Sequence, residues 1–174
     1  DKALTTGMAA GATRNHGHFG AAGIYARIAS QLDVLCFVTS GHQLHLAAGQ
    51  PLHNAAGGSP MAFCAPAATE PALVLDFGTM HDLYADDGHR DDIAALAPGL
   101  VLRCIGLGEV CQSWGGLLAG LCLDPDQRPW TWPGANQGSL VVVLRIDLFD
   151  DPARFRQQMD EYVRAVAALR PLGG

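Results

Sequence analysis

Two short runs of apolar residues constrain what this chain can fold into. Residues 33–39 (DVLCFVT) and 139–147 (SLVVVLRID) have the length of β-strands, are rich in β-branched side chains and carry apolar residues at consecutive positions. A strand with one face in water alternates apolar and polar residues, whereas a continuous apolar run is typical of a strand covered on both faces. We therefore expect both segments to be buried strands, with residues 33–39 central in a sheet.

Weaker patterns predict the elements around these two strands. Small residues at 8–13 are predicted to form a strand, and a loop rich in glycine and histidine connects it to a helix at 21–30. Residues 61–65 and 72–77 resemble a pair of strands on either side of a turn, and residues 100–105 are predicted to form a further strand. This mixture of elements favours an α/β fold.

Two further helices are predicted in the second half of the chain. Residues 109–123 have helical spacing, but two adjacent glycines at 115 and 116 cost about 1 kcal/mol each relative to alanine, so another backbone or a ligand is expected to come close there. The last helix has an aspartate N-cap at position 150 or 151 and Pro152 at its first position. Its apolar stripe consists of Phe155, Met159, Tyr162, Val163, Val166 and Leu169.

Composition limits the class of protein. The 174 residues are 49% hydrophobic, which is enough for one compact core, and we expect residues 1–174 to form a single domain. The net charge of −6 argues against binding to a nucleic-acid backbone. The chain has neither the run of about 18 to 20 apolar residues that spans a membrane nor the pattern of a signal peptide. We expect a soluble, cytoplasmic protein, with further sequence upstream of Asp1.

The segment Arg14–Tyr25 (RNHGHFGAAGIY) joins the first predicted strand to the first predicted helix. The glycine fingerprint of the common dinucleotide-binding fold and the P-loop motif are both missing from a convincing context. Exposed backbone N–H groups at such a junction suit a phosphate or carboxylate. The simpler interpretation is that the glycines serve a tight turn and close helix packing, with the histidines solvated or capping.

The same segment resembles the "R-N-S-x-H-F-G-x-x-G-x-Y" stretch of the type-2 malate/L-lactate dehydrogenase family, which also includes reductases of cyclic imino acids. The likeness continues in order through Val38-Thr39-Ser40, residues 57–63 (GGSPMAF, where the family has "G-T-N-P-I-A") and residues 73–77 (LVLDF). Residues 136–147 and the helix with Phe155 resemble the closing strand and helix of the family. The resemblance covers most of the chain.

The resemblance implies a mixed sheet with flanking helices that differs from the Rossmann fold, and an NAD- or NADP-dependent oxidoreductase that interconverts a small 2-oxo acid, or a cyclic imino acid, with its reduced form. It also favours a dimer or other homo- or hetero-oligomer. By resemblance, the dinucleotide faces His18, Phe19, Gly20, Ala21 and Ala22, with Thr39 and Ser40 nearby. The nicotinamide and the substrate lie near Gly58, Ser59 and Pro60.

Two departures from the family pattern concern catalysis. The proton-donating histidine of the family belongs to a Ser-His-Gly segment that this chain lacks, and the family's Lys-Gly is replaced here by residues 113–116 (SWGG). Reduction of a carbonyl needs an acid to protonate the developing alkoxide, so the catalytic residue is unknown and a separate N-terminal chain or subunit could supply it. The alternative is a non-catalytic, degenerate relative that acts as a binding or assembly subunit.

Other reactive side chains have simpler interpretations. The loop histidines His42, His45 and His53, with His16 and His18, lack the spacing of a zinc site, and we predict no metal. The five cysteines are odd in number and lie mostly in apolar runs, so we expect buried thiols rather than disulfides or a nucleophile at Cys104 or Cys111. The aspartates at 82–92 are expected on the surface, and the tryptophans at 114, 130 and 132 in the core or an interface.

Overall fold

The computed structural model describes residues 1–80, 87–127, 132 and 134–171. The predicted positions of Asp82, Asp86 and Trp130 lie outside the described residues. The strands are β1 (Met8–His16), β2 (Val34–His42), β3 (Pro60–Ala65), β4 (Leu73–Gly78) and β5 (Gln137–Arg145). The helices are α1 (Lys2–Thr6), α2 (Ala22–Ile28), α3 (Asp87–Leu96), α4 (Pro98–Cys111) and α5 (Pro152–Ala167).

The five strands form one sheet in the order β1-β5-β2-β3-β4. The two apolar runs become β2 and β5, which pair with each other in the interior of the sheet, so the prediction that residues 33–39 are central is confirmed. The expectation that both faces are covered holds only in part, because residues 38–41 of β2 are all buried but residues 141–145 of β5 are only partly buried. The α/β class is also confirmed. The expectation of a mixed sheet is wrong, because every strand pair in the described residues is antiparallel.

Helix α2 covers one face of the sheet. Its small residues Ala22 and Ala26 are fully buried against a cluster that includes Val34, Val38 and Ala62. Alanines allow the helix axis to approach the strands closely, which is why a seven-residue helix is sufficient here. The opposite face is covered only at one end, and at the other end Phe63, Leu73 and Leu75 are 44%, 49% and 52% exposed.

Residues 100–105 form part of helix α4 and not the predicted strand. Pro98 lies in the first turn of the helix, where its missing N–H costs nothing. The buried residues Val101, Ile105 and Gly108 then follow at spacings of four and three, which is the period of a helix packed on one side. The strand prediction missed this period.

Helix α4 continues into a π-helical segment at Gln112–Leu117, which packs over the end of β2. A Cβ atom placed on Gly115 would lie 2.7 Å from the backbone nitrogen of Gly41, and one on Gly41 would lie 2.6 Å from the backbone nitrogen of Gly116. The two backbones are therefore in direct contact. The prediction that another backbone comes close to the paired glycines is confirmed.

Helix α5 is attached to the rest of the chain by polar contacts. Asp151 is the N-cap and accepts a hydrogen bond from the backbone nitrogen of Arg154. The prediction of an aspartate N-cap at position 150 or 151 is therefore confirmed, with the cap at 151. The buried carboxylate of Asp160 accepts hydrogen bonds from the Thr69 hydroxyl and from the backbone nitrogens of residues 68–70. The Thr69 hydroxyl, with these N–H groups, holds the pKa of Asp160 at about 2.

Helix length and composition give one further result. In the part of the chain that the structure describes, no single helix is long and apolar enough to cross a membrane, and one sharply bent pair, His89–Leu96 with Pro98–Leu117, meets that test on length and composition alone.

Candidate functional site

The loop after β1 presents His18 to solvent with a defined ring tautomer. Asn15 and Gly20 adopt left-handed backbone conformations, with φ angles of 59° and 80°, that turn the chain back towards α2. The backbone nitrogen of Gly20 donates a hydrogen bond of 3.1 Å to Nδ1 of His18. A neutral imidazole whose Nδ1 accepts a hydrogen bond carries its proton on Nε2. His18 therefore offers an Nε2–H donor outside the loop.

Phe19 anchors this loop to Tyr25 of helix α2. Its ring stacks on Tyr25 with the ring centroids 5.0 Å apart, and the Tyr25 hydroxyl donates a hydrogen bond of 2.9 Å to the Phe19 carbonyl oxygen. Ala22, the first residue of α2, is fully buried, whereas His18, Gly20 and Ala21 are exposed. The five predicted cofactor residues at 18–22 thus divide into three that face outwards and two, Phe19 and Ala22, that anchor the loop.

A cleft of about 550 Å³ brings two of the predicted groups together. Its lining includes His18, Gly20 and Ala21 from the first loop, and Gly58 and Pro60 from the segment before β3. The remaining lining residues, Asp76, Phe77 and Gly78, belong to the end of β4. Small-molecule sites usually have volumes of about 300 to 1,000 Å³, so this cleft has the size of a ligand site.

A basin of about 610 Å³ adjoins this cleft and shares His18 and Gly58 with it. Most of the basin is lined by polar side chains, from the end of β2, the loop after it and the start of β5. They are His42, Gln43, His45, Asn54 and Gln137, and Leu44 and Gly57 complete the lining. Burial lowers the pKa of His42, so its ring is neutral at physiological pH.

Three of the predicted residues lie behind the cleft surface. Thr39, Ser40 and Ser59 are between 0% and 2% exposed. The Thr39 hydroxyl donates a hydrogen bond of 2.9 Å to the carbonyl oxygen of Pro60, and this bond connects β2 to the cleft wall. The structure therefore places these side chains where they support the cleft.

Gln112 is a site residue that the sequence interpretation missed. Its Nε2 donates a hydrogen bond of 2.7 Å to the Ser59 hydroxyl, and its Oε1 accepts one of 3.1 Å from the backbone nitrogen of His42. The side chain is buried and holds the turn at 57–59 against the end of β2. A signal was present, because a glutamine at 112 continues the buried helical stripe four residues after Gly108.

Asp76 is a second such residue, and Gly23 controls its position. A Cβ atom on Gly23 would lie 2.5 Å from Oδ2 of Asp76 and 2.8 Å from its Cβ. The glycine in α2 therefore lets the carboxylate of Asp76 lie against the helix and reach the cleft. The helix backbone and the end of β4 are joined at this contact.

The geometry gives little support to a metal site or to a cysteine nucleophile. Across the described ranges, no three His, Cys, Asp or Glu side chains are grouped so that they could hold a metal ion. The five cysteines are free thiols, and burial raises the pKa of Cys111 and raises that of Cys36 to about 11, with an added contribution from Cys64. Such thiols stay protonated at neutral pH, whereas a nucleophile must be a thiolate.

No protein-family profile matches this chain, and no curated protein sequence is significantly similar to it. Solved structures of dehydrogenases and reductases share its fold over almost its whole length. The malate dehydrogenase of Pyrococcus horikoshii OT3 matches 98% of the chain with a TM-score of 0.73 at 19% identity. The sulfolactate dehydrogenase of Methanocaldococcus jannaschii matches 99% with a TM-score of 0.66 at 18% identity.

A Δ1-piperideine-2-carboxylate reductase from Pseudomonas syringae matches 99% of the chain with a TM-score of 0.63 at 23% identity. At these identities the likeness shows the fold, and the predicted resemblance is confirmed at that level. The chain spans 55%, 58% and 61% of the length of these three proteins. The chain therefore has the fold of one large region of these three proteins.

Proposed function

We propose that this chain is the nucleotide-binding region of an NAD- or NADP-dependent oxidoreductase that interconverts a 2-oxo acid, or a cyclic imino acid, with its reduced form. The observation that carries the proposal is the single cleft that joins His18, Gly20 and Ala21 to Gly58 and Pro60. The two groups are 37 or more positions apart in the sequence and come together on the fold that malate dehydrogenases share.

The residues present fit a dinucleotide. A Cβ atom on Gly20 or Gly58 would meet nothing within 4 Å, so the backbone is open to a ligand at both walls of the cleft. The Nε2–H of His18 suits an oxygen acceptor of the cofactor, and the Asp76 carboxylate suits a hydroxyl donor. The antiparallel sheet supports a binding mode different from the Rossmann fold, in which the strands are parallel.

The neutral ring of His42 orients the substrate in the basin without protonating it. The Nε2 atom of Gln112 lies 3.3 Å from Nδ1 of His42, which favours the tautomer with the proton on Nε2. The bound nicotinamide supplies the hydride for the carbonyl carbon. The proton that the alkoxide oxygen takes up comes, in this proposal, from an acid on polypeptide outside these 174 residues, on the same chain or on a separate subunit.

Calorimetric titration with NADH and NADPH tests the proposal. We expect saturable binding of at least one of them, and His18→Ala is expected to weaken it about tenfold by removing a hydrogen bond and ring contact. His89→Ala is the matched control, because His89 is an exposed histidine on α3, away from the cleft. The proposal would be wrong if neither NADH nor NADPH bound to the chain, both alone and together with any polypeptide that precedes it.

A second candidate function is that of a non-catalytic binding or assembly subunit. It is favoured by residues 113–116, where the resembled family has Lys-Gly and this chain has glycines pressed against the backbone of β2. The measurement that separates the two candidates is turnover. Oxidation of NADH or NADPH with a 2-oxo acid, by the full-length protein, would exclude the non-catalytic function.

A further inference from the structure

A cavity of about 180 Å³ lies between the end of β2 and the π-helical segment. Its apolar wall consists of leucine side chains from the loop after β2 and from the segment around Gln112–Leu117, namely Leu44, Leu46, Leu117, Leu121 and Leu123. The polar side chains that line it are His42, Gln43, Glu109, Gln112 and Ser113. The cavity also shares His42, Gln43 and Leu44 with the polar basin, so the two spaces meet at the end of β2.

The volume of this leucine cavity defines what it can hold. An apolar cavity of about 150 Å³ in another protein stays dry and binds benzene. A space of 180 Å³ lined by leucines therefore takes one six-membered ring or a branched aliphatic group of similar size. The cavity opens to solvent, because Leu46, Leu117 and Leu123 are 47%, 47% and 57% exposed, so an apolar group that enters it displaces water from these leucine side chains.

The polar groups around the cavity do not suit an acidic ligand. Gln43 Nε2 already donates to the carbonyl oxygens of Leu44 and Cys122, at 2.8 and 2.7 Å, and Gln112 Nε2 donates to Ser59. No lysine or arginine is among the described residues that line the cavity or the basin. The carboxylate of Glu109 does line the cavity. A second carboxylate or a sulfonate would enter this cavity beside the Glu109 carboxylate and without a positive partner.

We infer that the leucine cavity is the pocket for the substrate side chain, and that it selects an uncharged, ring-sized hydrophobic group over a second acid group. The inference rests on the proposed function for the position of the acid and carbonyl groups, which lie in the open basin where water solvates them. Malate and sulfolactate, the substrates named for two proteins of the same fold, both carry a second acid group.

Binding of fluorobenzene, followed by ¹⁹F NMR, tests the cavity without cofactor or catalysis. We expect a dissociation constant on the order of 1 mM for the unmodified chain. Leu117→Trp, which fills the cavity from a half-exposed position, is expected to weaken binding at least tenfold. Leu118→Trp is the matched control, because Leu118 is the next residue, is 67% exposed and does not line the cavity.

Competition then tests the selectivity. We expect 3-phenyllactate to displace fluorobenzene, and malate to do so at least one hundredfold more weakly. Equal displacement by malate, no displacement by 3-phenyllactate, or equal binding by the two tryptophan variants would overturn the inference. Titration with NADH is a separate readout. Normal competition without NADH binding would contradict the proposed function, whereas the preference of the cavity for an uncharged ring over a second acid group would still hold.

Discussion

Replacing Gly115 by alanine tests the packing of the π-helical segment on β2. The new Cβ atom would lie 2.7 Å from the backbone nitrogen of Gly41 and 2.8 Å from the Cα atom of Ser40. Both contacts are with backbone, so no side-chain rotation relieves them. Overpacking of this kind costs about 1 to 3 kcal/mol, and here the upper part of that range is expected because two backbones have to separate.

Gly106→Ala is the matched control. Gly106 lies in the interior of α4, and a Cβ atom placed there meets nothing within 4 Å. Alanine is favoured over glycine in a helix by about 1 kcal/mol, so this variant is expected to be more stable than the parent chain. The two substitutions are chemically identical and have opposite predicted signs.

Thermal unfolding followed by circular dichroism measures both variants. For a domain of this size, 1 kcal/mol corresponds to a shift in Tm of about 2 to 4 °C. We expect Tm to fall by about 4 to 12 °C for Gly115→Ala and to rise by about 2 to 4 °C for Gly106→Ala. A Gly115→Ala protein as stable as the parent chain would refute the close contact of the two backbones.

Three further predictions concern the cleft, helix α5 and the buried thiols. Gln112→Leu removes the hydrogen bonds to the Ser59 hydroxyl and to the backbone nitrogen of His42, and is expected to lower the free energy of unfolding in urea by about 2 to 4 kcal/mol. Gln158→Leu, on the exposed side of α5, is the control and is expected to stay within about 0.5 kcal/mol of the parent chain. Because the pKa of Asp160 is lowered to about 2, its stabilisation is complete above its unfolded pKa of about 3.9 and is lost as the pH falls through 2. The difference in urea midpoint between the parent chain and Asp160→Asn should therefore be constant from pH 7 to pH 5 and should shrink by pH 2.5; a difference independent of pH would contradict the carboxylate contacts. The raised pKa of Cys36 predicts that iodoacetamide alkylates this thiol slowly at pH 8 in the folded chain and rapidly in urea. Mass spectrometry of the Cys36 peptide measures both alkylation rates, and equal rates would contradict the burial of the thiol.

The interior strands were predictable because their signal is local. Residues 33–39 and 139–147 carry their apolar runs within single segments, and the structure pairs them as β2 and β5. The direction of pairing was not predictable in the same way. The connection between β2 and β3 spans residues 43–59, which is long enough for a parallel crossover, and nothing in the strands themselves distinguishes the two directions.

The candidate site was predictable in part for the same reason. Residues 14–25 form one continuous motif, and the structure leaves His18, Gly20 and Ala21 of that motif on the surface of the cleft. Gln112 acts through atoms that lie 53 and 70 residues away, so its role depends on tertiary contacts. Residues 100–105 show the reverse error, because the helix start at Pro98 and the helical spacing of Val101 and Ile105 are local signals that the strand prediction missed.

The contact between β2 and the π-helical segment also predicts how this sequence can change over evolution. Gly41, Gly115 and Gly116 meet through their backbones, and a Cβ atom on Gly138 would lie 2.6 Å from the carbonyl oxygen of Gly115. Glycine has no smaller residue to which it can mutate, so enlargement at one of these positions cannot be compensated by reduction at another. Homologous chains should therefore keep all four glycines together or lose them together with a displaced helix.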